Sequence, residues 1–178
     1  MPVYNVLLLG DPELREKSTP VTDFKAPELR ALLGDLKRTL TVLQARFGTG
    51  LALAAPLLGI HKRIIYFRGD PAPFFIINPE ISGRSKEEEE DWETCFSFQM
   101  SFVVKIKRPK TIAMKYNDEN GDKHIISCEG KMARVMLHEI DHLDGVLPVD
   151  HISNPPLIMR AELIKQRLSS SSRWKKQD

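Results

Sequence analysis

Leucines recur at spacings of three and four between positions 27 and 47, at Leu29, Leu32, Leu33, Leu36, Leu40 and Leu43. On a helix they fall on one stripe, so this segment predicts an amphipathic helix packed on a core. Between about residues 62 and 129 the texture shortens to β-rich runs at 63–67, 74–77, 102–104 and 111–114, separated by Pro, Gly and charged residues; these predict strands. Asn120-Gly121 is a turn pair that tolerates positive φ, and it predicts an antiparallel hairpin over 110–129. Helical spacing returns at Met132, Val135, Met136, Ile140 and Leu143, with Gly145 just past the end as a stop. A last helix is predicted over 157–168, after Pro155-Pro156. Strands clustered between helices imply an α+β class, because a doubly wound chain would alternate strand and helix throughout.

Composition narrows this to one unit. A chain of 178 residues, 42% hydrophobic, can bury one real core. A single domain is expected over 1–168, with 169–178 a disordered tail and the acidic run 87–91 a solvated loop or edge. The net charge of +2, from 26 basic and 24 acidic residues, is too small to point to nucleic acid or membrane as the main partner. The first ten residues lack the basic start of a signal peptide, and no run approaches the roughly 18 apolar residues of a membrane helix. Two cysteines, Cys95 and Cys128, make no disulfide framework. A cytoplasmic monomer is expected, with a Cys95–Cys128 disulfide as the alternative use of the pair.

The candidate chemistry lies in His138-Glu-Ile-Asp-His142. Two histidines four apart on a helix differ by about 40° in azimuth. Both imidazoles can therefore reach one metal ion while the intervening Glu139 points at water. Two surface or satisfied histidines would show the same spacing, so the motif needs a third protein ligand to become a hydrolytic site. A third histidine six residues after His142 is ruled out, because that position is Pro148. Glu162, on the predicted last helix, and the thiolate of Cys95 both remain possible. Cys128 is a weaker claimant, more simply a small buried hydrophobe.

Three short segments in order resemble the motifs of the peptide deformylases: Gly50-Leu-Ala-Leu-Ala-Ala-Pro-Leu-Leu-Gly59, Glu93-Thr-Cys-Phe-Ser97 and His138-Glu-Ile-Asp-His-Leu-Asp-Gly145. Flanking pieces such as Gly10-Asp-Pro-Glu-Leu-Arg15 and Ile77-Asn-Pro79 agree, and the similarity runs from about Val6 to Ile152. The resemblance implies antiparallel sheets around a central helix carrying the histidines, with an N-terminal and a C-terminal helix. It implies one divalent metal on Cys95, His138 and His142, ferrous iron in the cell and replaceable by nickel or zinc. The implied substrate is the N-formyl group of nascent chains beginning with formyl-methionine, lined by Gly50, Leu51, Ala52 and Val135. Activated water attacks the formyl carbon while Glu139 accepts a proton and later passes it to the departing amine. Asp141 cannot share that helix face, and is assigned a supporting contact, with Arg108 as the candidate.

Several positions depart from the family pattern. Leu57 stands where the family has a glutamine whose amide stabilises the oxyanion, which leaves the backbone N–H of Phe96 as the remaining donor. Ala52 and Thr94 stand for glycines, and Lys131 and Leu137 replace the usual leucine and glutamine beside the third motif. Deformylation is therefore expected to be reduced or shifted. The alternatives are hydrolysis of another N-acyl substrate, or non-catalytic binding of peptide amino termini. In bacterial members the C-terminal helix can dock on the ribosome, and Arg160, Lys165, Arg167, Arg173, Lys175 and Lys176 make this tail basic enough for such contact.

Overall fold

The structure, a computed structural model, describes residues 5–70, 72–152, 157–161 and 164–165. Helix α1 (Pro27–Phe47) starts on a proline and stops at Gly48, whose φ of 67° closes the helix in the left-handed region. It buries Leu29, Leu33, Leu36, Leu40 and Leu43, the predicted stripe, while Leu32 packs at its margin. Strands β1 (Ala52–Ala54), β2 (Ile64–Phe67), β3 (Phe74–Arg84), β4 (Glu88–Glu93), β5 (Phe102–Pro109), β6 (Thr111–Asn117) and β7 (Lys123–Glu129) follow. Helix α2 (Gly130–Leu143) and strand β8 (Leu157–Met159) come last, and short 3-10 turns punctuate the chain. The result is α+β, with two antiparallel sheets in the orders β1-β2-β3-β6-β7 and β4-β5-β8.

The stripe of α1 packs on β1 and β2, and α2 lies against β1 and β7. Fully buried Leu36, Leu40, Leu53, Ile64, Ile65 and Ile76 form the centre of one continuous core. The expected hairpin is β6 and β7, joined by a loop in which Gly121 takes φ 91°. Just past α2, Gly145 is at φ 74°, and a Cβ there would lie 2.4 Å from the Arg15 carbonyl oxygen, so only glycine lets the chain pass.

Two expectations need correction, and a third resolves between its alternatives. Strand β3 runs well beyond 74–77, because Asn78, at φ 52°, forms a bulge that absorbs Pro79 and lets pairing with β6 resume at Glu80. The Asn78 side chain holds the bulge by exchanging two 2.8 Å hydrogen bonds with the Val21 backbone. The acidic run, expected as a solvated loop or edge, is an edge: it forms strand β4, which pairs with β5 from Glu88↔Pro109 to Glu93↔Val104. Residues 157–159, expected to open the last helix, instead pair with Phe102–Val104, and helical backbone begins only at Arg160. The free edge of β5 satisfies their backbone groups before a helix can start. The tail 169–178, Glu162 and most of the basic residues considered for ribosome docking lie outside the described residues. No helix among the described residues is long and apolar enough to cross a membrane.

Candidate metal centre

The histidines come from the buried face of α2, and Cys95 from the loop that leaves β4 and enters a 3-10 turn at Phe96–Phe98. Their donor atoms lie within 4.8 Å of one another, and Cys95 Sγ is 3.2 Å from His142 Nε2. A tetrahedral ion with bonds of about 2.0–2.3 Å to nitrogen and sulfur holds its donors at such separations, so the set fits a divalent transition metal. Cys128 is 1% exposed in β7 and, like Cys95, is free, which leaves no disulfide between them.

Burial opposes a thiolate at Cys95, but the imidazoles of His142 and His138 outweigh it and hold the thiol well below its ordinary pKa. The Ser97 hydroxyl donates to the same sulfur at 3.1 Å. Glu139 is 6% exposed, and burial raises its carboxyl above the ordinary range against the opposing pull of His138 and His142. The Ala54 N–H donates to this carboxylate, and Oε2 has no partner among the described residues. A buried carboxylate with one oxygen anchored and one free is suited to shuttling a proton.

The supporting layer centres on Glu93, whose role the sequence did not disclose. Arg108 grips it with two bonds, Nε to Oε1 at 2.6 Å and Nη2 to Oε2 at 3.0 Å. Arg134 Nη1 reaches Oε1 at 2.8 Å, and His138 Nδ1 lies 3.0 Å from Oε2. Burial disfavours the charge on Glu93, yet His138 and Arg108 more than compensate and keep it well below the usual carboxylate range. Holding Nδ1 of His138 fixes that ring and leaves its Nε2 for a cation. Arg108 Nη1 also donates to Asp141 Oδ2 at 2.8 Å, the contact expected for Asp141. Two positional signals could have exposed this hub: Glu93 stands two residues before Cys95, and Arg134 one helical turn before His138.

Glu93, Cys95, Arg134, His138, Glu139 and His142 form the floor of a cavity of 830 Å³. Gly50, Leu51, Ala52, Leu57, Phe96 and Val135 all line it, as does Lys131. Thr94, also in the lining, spends its hydroxyl on the Phe102 carbonyl at 2.9 Å. Gly50 is at φ 102°, its carbonyl accepts from Gln44 Nε2 at 2.6 Å, and a Cβ on it would meet the Phe96 ring at 2.2 Å. Gly50→Ala is therefore expected to cost about 1–3 kcal/mol in urea unfolding. It should also lower kcat/KM, because the ring that must move belongs to Phe96, which lines the cavity. Unchanged stability and turnover would show that this loop is not held against Phe96.

The model of the polypeptide deformylase family matches residues 3–156. Peptide deformylase 2 of Clostridium perfringens is 36% identical over 152 residues, which is 84% of this chain and 93% of that one. The peptide deformylase of Heliobacterium modesticaldum is 37% identical over 154 residues, 86% of this chain and 97% of that one. In three dimensions the chain is similar to the crystal structure of peptide deformylase from Thermotoga maritima, with a TM-score of 0.78 and 36% identity over 86% of this chain and all of the other. Sequence and backbone agree along the stretch that builds the cavity floor, and the chain belongs to the peptide deformylase family of metal-dependent hydrolases.

Proposed function

We propose that this protein removes the N-formyl group from formyl-methionine at the amino terminus of nascent polypeptides, with Cys95, His138 and His142 holding the metal and Glu139 moving the proton. The observation that carries it is the free, buried Oε2 of Glu139 beside the converged thiol and imidazoles. A divalent cation bound there would supply Lewis acidity, making water acidic near neutral pH and polarising the formyl carbonyl. Glu139 takes the proton that the attacking water loses and returns it to the amine nitrogen as the C–N bond breaks, so formamide and water become amine and formic acid, which releases its proton to solvent. Phe96 lies in the first turn of a 3-10 helix, where backbone N–H groups lack a partner within the helix, and its N–H donates to the developing oxyanion.

Leu57 is 1% exposed and offers no donor from its side chain. Leu57→Gln is expected to raise kcat/KM toward the roughly 10²–10³-fold that one oxyanion donor is worth. An unchanged rate would mean that the backbone donor suffices. The same leucine makes the floor more apolar and favours a second reading, an N-acyl group larger than formyl. Metal-loaded protein assayed on formyl-, acetyl- and longer-chain acyl-Met peptides separates the two. Fastest turnover of formyl supports deformylation, preference for a longer acyl group supports the second reading, and no turnover of any member refutes both.

A further inference from the structure

The acidic run is not consumed by the proposed chemistry, yet β4 carries it from the protein surface to the floor of the cavity. The two-residue period of a strand sorts its side chains. Glu88 and Glu90 turn outward, where Lys107 Nζ at 2.9 Å and Lys105 Nζ at 2.6 Å neutralise them. Glu89, Asp91 and Glu93 line the cavity. Glu93 is the buried hub, whereas Glu89 and Asp91 are exposed, and neither makes a salt bridge among the described residues. Asp91 only accepts from the N–H of its neighbour Trp92 at 2.7 Å.

Two cations share this lining, both from α2. Arg134 is committed to Glu93, the Ile106 carbonyl and the Glu89 carbonyl. Lys131 has no salt bridge among the described residues, so two free carboxylates face one free ammonium. At about 3.3 Å per residue, Asp91 stands roughly 7 Å and Glu89 roughly 13 Å up the strand from Glu93. A ligand whose reacting end meets Glu139 Oε2 on the floor must leave along these walls. An extended peptide advances by the same step, which brings its second to fourth residues beside the two carboxylates.

We propose that the inner face of β4, through Asp91 and Glu89, selects peptides with Lys or Arg among the second to fourth residues. This rests on the deformylation proposed above, because that reaction places the amino end on the floor.

The test uses the full, metal-loaded chain with formyl-Met-Ala-Lys-Lys and formyl-Met-Ala-Glu-Glu. The lysine peptide is expected to win by about three- to tenfold in kcat/KM, carried by KM and shrinking with added salt. The double variant Glu89→Gln/Asp91→Asn should bring the ratio near one. The outer-face double variant Glu88→Gln/Glu90→Gln, with the same change in net charge, should keep the wild-type ratio. Binding of the deformylated peptides, followed by the fluorescence of Trp92, the neighbour of Asp91 on β4, gives a readout independent of turnover. Turnover without preference, or equal loss of preference in both double variants, overturns the proposal and leaves deformylation standing. Binding preference without turnover does the reverse, and absence of both overturns both.

Discussion

Glu139→Gln is expected to lower kcat on formyl-methionyl peptides by about 10²–10⁴-fold while bound metal stays at the wild-type level. The substitution is nearly isosteric, so the amide oxygen can still accept from the Ala54 N–H and the helix face is undisturbed. What disappears is the basic oxygen, Oε2, which is buried without a partner beside the metal-binding set. Glutamine cannot take up the proton that water must lose, and it cannot return one to the leaving nitrogen. KM should move little, because Glu139 contributes a proton rather than a substrate grip. Steady-state kinetics with metal analysis of the same samples decides the matter. A variant that keeps its metal and turns over within a few-fold of wild type would remove Glu139 from the reaction.

Periodicity disclosed those parts of the fold whose stability is local. Helices α1 and α2 each present a continuous apolar face to the core, and the β6-β7 hairpin closes through a short turn, so all three are written in contiguous residues. Strands β1 and β8 are three residues each, and they exist because remote edges, at Tyr66 and Val103, supply their hydrogen bonds. The acidic run of β4 has the composition of a solvated segment. It becomes a strand because β5 offers both a backbone ladder and two lysines at the right period.

The site divides in the same way. His138 and His142 are legible from helical spacing alone, while the third donor stayed open between Cys95 and Glu162 until the ordered motifs resembled a known family. The structure brings Cys95 to the pair, and Glu162 lies outside the described residues. The Glu93 hub joins one strand residue to Arg108 on β5 and to two residues of α2, and no pattern within one segment encodes a contact of that kind.

That hub carries the second large effect. Glu93→Ala should destabilise the fold by about 3–5 kcal/mol, because it strands Arg108, Arg134 and the His138 ring in a buried setting. Arg108 is 5% exposed and, among the described residues, keeps only Asp141 as an anionic partner, while Arg134 retains two carbonyls. Metal affinity should fall by about 10–100-fold as His138 loses the acceptor that orients it. Urea unfolding and chelator competition measure the two effects separately. Glu93→Gln distinguishes their causes: its amide oxygen can still accept from Nδ1–H of His138, so affinity should recover more than stability, which depends on the lost charge. In the background of Arg108→Met, with one of the stranded cations gone, Glu93→Ala should cost less than it does alone, and the shortfall is the coupling between the two residues. If the costs instead add, the buried carboxylate acts mainly on His138, and its grip on Arg108 is incidental to holding the metal site together.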